Sequence, residues 1–284
     1  AVTGLVVLLA QAFAPKGKAA PSAALSLAGL AAALGSLWML ATGPGRGTVM
    51  AGAVAADDFA LFLQALLVGV AAVAVLLSPS YLRSQGIERG EFYALLLFST
   101  VGMLGLVSAL ELVSVFVALE ITSIALYGMA GMHRGSVGSQ EAPLKYFVTG
   151  AFASAFFLYG VALLYGVSGS TAIDKVALAL AALPADEAPL ALLGAGLLLV
   201  GFGFKVASVP FHMWAPDVYE GAPTTATAFM SAGVKAAAFG SLLRVFGSGL
   251  PALAPLWQPL VAVLAIVTMV VGNLAALAQT SLKR

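Results

Sequence analysis

No cysteine occurs in the sequence. Without thiolates there is no disulfide, no thiolate-bound zinc and no iron–sulfur cluster. A bis-histidine haem would need both of the two histidines, His133 and His212, which lie far apart in the chain, and His133 falls in a polar loop. Redox chemistry needs a carrier that this chain cannot hold. Charge is equally scarce: 9% of the 284 residues are charged and 61% are hydrophobic, whereas a soluble domain carries roughly 25% charged residues. With a mean hydropathy of +1.05, a soluble fold is excluded. The net charge is only +1 and the basic residues are scattered between apolar blocks, so there is no patch to neutralise a polyanion and nucleic acid is not a partner.

What the sequence has in abundance is bilayer-length apolar runs. They fall near 1–14, 21–42, 58–78, 92–110, 112–132, 143–168, 189–209, 224–248 and 256–277, separated by Gly, Pro or charge clusters. Each is read as a helix, because lipid offers no partner to backbone polar groups. Period-two alternation is absent, which argues against a transmembrane barrel, and the Ala, Leu and Gly content suits close helix packing. The fold class is therefore an all-α polytopic membrane protein of about nine transmembrane helices. The chain does not begin with Met, and residues 1–14 lack a basic n-region and an A-x-A site, so they read as a short span rather than a signal peptide. Alternating the loops puts Lys16, Lys18, Arg83, Arg89, Arg134, Lys283 and Arg284 on one side against Arg46, Lys175 and Arg244 on the other. The richer side is expected to be cytoplasmic, which places the N-terminus outside. The segment 170–183 reads either as an amphipathic interfacial helix in an outer loop or as a plain linker.

Three ionisable residues sit where lipid chemistry disfavours them. Glu120 is near the middle of LVSVFVALEITSIALYGM (112–129), Lys235 is central in TTATAFMSAGVKAAAFGSLL (224–243), and Lys205 lies deep in a run that breaks before Pro210. Each buried ion costs roughly 2.5–3.5 kcal/mol on insertion scales, a large share of the about 5–15 kcal/mol that stabilises a fold. A purely structural Glu–Lys pair is the bland alternative, but two lysines against one glutamate leave an ammonium over. At helical spacings Lys235 shares a face with Ser231, Thr227 and Thr224, and Glu120 shares one with Ser123 and Tyr127, so hydroxyls stand ready to hold a water file. The segment SVPFHMWAPDVYEGAPTT (208–225) carries three prolines between apolar blocks, so the helix must break at or before Pro210. It is either an inter-helical loop or a discontinuous helix near 205–212, a recurrent device in ion-coupled transporters. His212 is a proton relay if it faces a cavity, and otherwise a packing residue. Lys145, shortly after Pro143, is expected to snorkel to the cytoplasmic interface, with a role in proton uptake left open. Glu111 reads as an outer interfacial charge.

The segments ELVSVFVALEITSIALYGM (111–129), EAPLKYFVTGAFASAFFLYG (141–160), GFKVASVPFHMWAPDVYEGAPT (203–224) and NLAALAQTSLKR (273–284) resemble the antiporter-like membrane subunits of respiratory complex I and their relatives in multisubunit cation/proton antiporters. By that resemblance Glu120 matches the helix-5 glutamate, Lys145 a helix-6 lysine, Lys205 the lysine of broken helix 7 and Lys235 the helix-8 lysine. The implied fold is two inverted repeats with three extra N-terminal spans. The expected division is then 1–90 for the N-terminal helices, 91–250 for the first antiporter-like repeat, and 251–284 for the first helix of the second repeat. Most of that second repeat, with its exit half-channel, is expected to be missing from this sequence.

The resemblance implies a proton-translocating membrane-arm subunit of an NADH-quinone oxidoreductase in a bacterial plasma membrane. Flavin, iron–sulfur clusters and quinone would lie in partner subunits, with no cofactor or metal in this chain. Neighbouring antiporter-like subunits would be its partners. The alternatives are a subunit of a cation/proton antiporter or membrane-bound hydrogenase, a self-contained ion-coupled transporter, and a passive scaffold whose buried charges only set assembly.

Overall fold

A computed structural model describes residues 1–14, 21–133, 135, 137–184 and 186–283. Among the described residues the regular structure is helical apart from one small hairpin. In order come α1 (Val2–Ala12), α2 (Ser22–Thr42), strands β1 (Gly47–Val49) and β2 (Val54–Ala56), then α3 (Asp58–Ser84), α4 (Gly90–Ser108), α5 (Leu112–Ala130), α6 (Val137–Ser168) and α7 (Ile173–Ala181). After these come α8 (Ala188–Val206), α9 (Ala215–Gly221), α10 (Thr224–Phe229), α11 (Lys235–Arg244) and α12 (Ala254–Leu277).

Eight helices of the described residues are long and apolar enough to cross a membrane, one of them the continuous stretch Thr224–Gly249 that contains α10 and α11. The first predicted span is the exception. Helix α1 has 11 residues, and at about 1.5 Å of rise per residue it is too short to cross a hydrocarbon core of about 30 Å. The predicted 170–183 element is a helix, α7, whose apolar stripe buries Ile173, Val176 and Leu180. The antiparallel hairpin, with Thr48 opposite Ala55, was not anticipated; its reversal uses left-handed backbone at Met50, Ala51 and Gly52.

The turns gather at two opposite ends, as alternating spans require. At one end Leu110 N–H donates to Ala53 O, Leu112 N–H to Thr171 O and Ile173 N–H to Leu110 O, which knits the hairpin, the α4–α5 turn and the start of α7 together. At the other end Thr224 bonds the Tyr81 hydroxyl, and Lys283 Nζ donates to the carbonyls of Glu220 and Ala222. Four of the seven basic residues that were assigned to the cytoplasmic side on sequence, Lys16, Lys18, Arg134 and Arg284, lie outside the described residues.

Small residues set the packing, since lipid tails give apolar helices no reason of their own to associate. On α4, a Cβ at Gly102 would meet Thr122 N at 2.6 Å and Ala118 O at 2.8 Å, so α4 and α5 touch backbone to backbone. Gly160 of α6 and Gly194 of α8 do the same for that pair. Most hydroxyls inside the spans donate to a carbonyl one turn back, as with Ser78 to Ala74, Thr100 to Leu96 and Thr122 to Ala118, so they add no unpaired donor to the interior. None of the residues of α12 is buried. It touches the body through Trp257, edge-on to Phe246 at 5.4 Å, and through Thr268, whose hydroxyl accepts Val209 N–H at 2.9 Å.

Candidate functional site: ionisable residues at a helix break

Helix α8 ends at Val206 because Ala207 turns left-handed (φ 59°, ψ 44°) and Pro210 cannot continue it. Ser208 N–H reaches back to Gly203 O and Ala207 N–H to Phe204 O, a Schellman-type closure. An alanine in this conformation costs on the order of 1 kcal/mol, the kind of strain that clusters at functional sites. The Phe204 carbonyl also accepts the indole N–H of Trp214 at 3.0 Å, so the chain after the break folds back onto the end of α8. The predicted discontinuity is present, and Lys205 sits in the last turn before it.

Lys205 is buried, 2% exposed. Its Nζ donates to Ser123 Oγ of α5 at 2.7 Å, and Ser123 in turn donates to Leu119 O. Glu120, one turn before Ser123 on the same face, accepts a short hydrogen bond from Ser154 Oγ of α6. The structural Glu–Lys pair weighed on sequence is therefore not formed between Glu120 and Lys205. Among the described residues the two form no ion pair. Ser123, one turn from Glu120, is the α5 group that Lys205 bonds. The crevice beside them, lined by Leu119, Gly150, Ala153, Ser154, Phe204 and Lys205, has no room for a water molecule. Gly150 leaves the space that the Tyr127 hydroxyl occupies.

An aromatic series leads from Lys205 to Lys235. The Lys205 ammonium lies 5.4 Å from the Tyr146 ring centre, Tyr146 stacks on Trp214 at 4.6 Å, and Trp214 meets Tyr219 edge-on at 5.9 Å. The Lys235 ammonium lies 5.9 Å from the Tyr219 ring. Such contacts favour a cation where water is scarce.

The hydroxyl face expected for Lys235 is not reproduced. A π-helical turn, Met230–Val234, joins α10 to α11 immediately before it, and one inserted residue rotates the α11 side of the helix by about 100° relative to the α10 side. Ser231 is exposed and donates to Ala228 O, Thr224 is bonded to Tyr81, and Thr227 donates to Tyr219 O.

Lys145 does not snorkel freely. Helix α6 begins at Val137, well before Pro143, so Lys145 is inside the helix rather than at its start. Its Nζ pairs with Asp217 of α9 at 2.7 Å and with Glu141 at 3.6 Å. His212 lies within the break, half-buried, with Nδ1 enclosed and without a hydrogen-bond partner. Among the described residues no group of three or more His, Asp or Glu gathers as a metal site.

Sequence reasoning missed Ser154 and the Asp57–Arg244 pair. Arg244 Nη1 and Nη2 donate to the two Asp57 oxygens, both at 2.8 Å, and Nε donates to Val107 O. The Arg244 guanidinium, together with Ala60 N–H, holds the Asp57 carboxyl below the usual carboxylate range. The signals were an arginine within an apolar block and an aspartate directly before one, where it caps α3. Ser154 gave no signal, because nothing in sequence pairs α6 with α5.

A family model described as NADH:quinone oxidoreductase/Mrp antiporter, transmembrane, matches residues 109–284. The chain belongs to this family. It is 44% identical over 285 residues to the NADH-quinone oxidoreductase subunit N of Trichlorobacter lovleyi, covering 100% of this chain and 58% of that protein. It superposes with a TM-score of 0.79 and 40% identity on a chain of respiratory complex I from Thermus thermophilus, covering 99% of this chain and 58% of the other. A chain of the Mrp complex from Dietzia matches with a TM-score of 0.72 and 25% identity over 98% of this chain and 53% of its own length. The chain thus spans a little over half the length of these relatives. The region shared with the antiporter family contains Glu120, Lys145, Lys205, His212 and Lys235, whereas Asp57 precedes it.

Proposed function

We propose that the chain is the proton-translocating part of a membrane-arm subunit in a complex I-type NADH-quinone oxidoreductase, working in a bacterial plasma membrane with its N-terminus outside. Flavin, iron–sulfur and quinone chemistry belongs to partner subunits, with antiporter-like neighbours in the membrane, and this chain contributes proton transfer alone. The working core is the first repeat, 91–250, supported by 1–90 and followed at 251–284 by the start of the second.

One observation carries the reading. A carboxylate and two amines sit inside apolar spans, Lys205 in the last turn before a helix break, and each is held by a hydroxyl or an aromatic face rather than by an opposite charge. A scaffold that used these ions for packing would pair them, since an unpaired ion in lipid is costly. Proton transfer from Lys205 to Glu120 leaves a neutral amine and a neutral acid, and it lifts the repulsion that Lys205 exerts on a proton at Lys235. Return of the proton to Lys205 restores that repulsion and drives the Lys235 proton onward. Lys145, paired with Asp217 near the break, is a candidate for proton uptake, and His212 a candidate relay.

Glu120→Gln in the assembled complex tests this. The amide keeps volume and hydrogen bonding but cannot accept the proton, so NADH-driven pumping into vesicles is expected to be lost while the complex assembles. Normal pumping by that variant refutes the reading. The relative in the Mrp complex supports a second reading, an antiporter subunit, which co-purification without flavin or iron–sulfur proteins would favour.

A further inference from the structure

We infer that Ser123 and Ser154 are positioning residues that hold Lys205 and Glu120 apart, so that the two charges remain separate, exchangeable sites instead of a locked ion pair; this rests on the proposed proton-translocating function. The two serines come from different helices, and each bonds one of the two ions. Ser123 on α5 is fully buried and accepts a hydrogen bond from the Lys205 ammonium at 2.7 Å. Ser154 on α6 donates to Glu120 Oε1. Glu120 and Ser123 are one turn apart on one face of α5, so Lys205 has a choice of two acceptors there and the structure shows it on the neutral one. The crevice lined by Ser154 and Lys205 has no room for a water molecule. The hydroxyls alone supply the competing bonds.

The chemistry of the alternative is plain. An ammonium carries only donors and a carboxylate only acceptors. In a dry interior their direct contact is strong, and it holds both in the charged form. A locked pair is a poor relay, because the proton that Lys205 must give up would be stabilised where it is. Neutral hydroxyls bind each ion well enough to hold its position and weakly enough to release it. A hydrogen bond to a charged group shifts an equilibrium by about 10- to 100-fold, so removing one serine is expected to move the balance between open and locked states by that factor.

The test uses the purified membrane complex that contains this chain. Ser123→Ala and Ser154→Ala are each compared with wild type for pumping, for NADH oxidation with an uncoupler present, and for the Lys205–Glu120 separation in an electron cryomicroscopy structure. The expected result is that each alanine variant assembles and brings Lys205 Nζ within 4 Å of the Glu120 carboxylate, at about the usual ion-pair distance. Pumping falls about tenfold or more. Ser154→Thr, which keeps the hydroxyl at a half-exposed site, recovers pumping, as a role in mere packing volume would not require. Wild-type pumping by both alanine variants overturns the inference, and so does an unchanged Lys205–Glu120 separation in Ser123→Ala. Glu120→Gln, run alongside, separates the two levels. If it is inactive while the serine variants pump normally, only the positioning role fails; if it pumps normally, the proton-translocating reading itself has failed.

Discussion

Asp57 performs two tasks that substitution can separate. One carboxylate oxygen accepts Ala60 N–H at 2.7 Å as the N-cap of α3, and both oxygens bind the Arg244 fork. Removing one partner of a fully buried pair costs about 3–5 kcal/mol, because the other charge is stranded. Here the guanidinium side is 9% exposed but the carboxylate side 47%, so water takes over part of the lost contact, and Val107 O and the Phe59 ring still hold Arg244. A cost of about 2 kcal/mol is therefore expected for Asp57→Asn, which keeps the cap, since Asn caps as well as Asp. Asp57→Ala loses the cap as well, adding about 1 kcal/mol.

Acid provides an independent check. The folded carboxyl is depressed by Arg244 first and by Ala60 N–H among the lesser causes. Its contribution is thus complete above the unfolded value of about 3.9, declines as pH falls below that value, and is gone once pH is under the folded one. Wild type should lose its advantage over Asp57→Asn across that window. Thermal unfolding of the detergent-solubilised protein, read at neutral pH and at several acid values, measures both effects. A melting temperature for Asp57→Ala no lower than that of Asp57→Asn refutes the cap, and an Asp57→Asn protein as stable as wild type at neutral pH refutes the pair.

Two further outcomes are expected from close contacts and from charge. Gly150→Ala puts a methyl group where the Tyr127 hydroxyl lies. Overpacking of this kind costs about 1–3 kcal/mol, and the double change with Tyr127→Phe should recover part of it; a double variant no more stable than Gly150→Ala shows that the hydroxyl is not the obstacle. Lys235→Arg keeps a positive charge over Tyr219 but holds its proton permanently, so pumping should fail as it does in Lys235→Met; an arginine variant that pumps at the wild-type rate shows that charge rather than proton exchange is what the position needs.

The spans were legible because the bilayer fixes their length and lipid forbids unpaired backbone, so hydropathy alone locates α2 to α6, α8, the α10–α11 stretch and α12, although α3 runs on past its predicted end and α6 begins before its predicted start. Helix α1 was legible as apolar and short, and its 11 described residues are fewer than a span needs. The break after Lys205 was legible in Pro210, although the residue that turns the chain, Ala207, carries no sequence mark of a left-handed conformation. Partners across helices were another matter. Glu120 and Lys205 stood out as expensive ions and Ser123 as a hydroxyl on the face of Glu120, while Ser154 looks like the many small hydroxyls that merely bond their own helix. Arg244 was counted among the charges of an outer loop, although it lies inside the stretch Thr224–Gly249 and its partner lies at the far end of the sequence.

Lys235 shows most clearly where periodicity stops working. A spacing of 3.6 residues, run from Thr224 through Ser231, assigns Lys235 to a hydroxyl face. The rule assumes that every turn between them is α-helical, and the turn Met230–Val234 is π-helical. A second π-helical turn, Val245–Gly249, comes after Arg244, so α11 is a ten-residue cylinder whose rotation is set at both ends by irregular turns. Within it the ordinary rule holds: Ala237, Ala238, Ser241 and Leu242 are buried together, on a stripe of α-helical spacing. Across its ends the rule fails, because the extra residue turns Lys235 towards the Tyr219 ring while Ser231 stays exposed. The position of the lysine along the membrane could be read from its neighbours in sequence, but the direction in which it points depends on a backbone irregularity that its side chains do not announce.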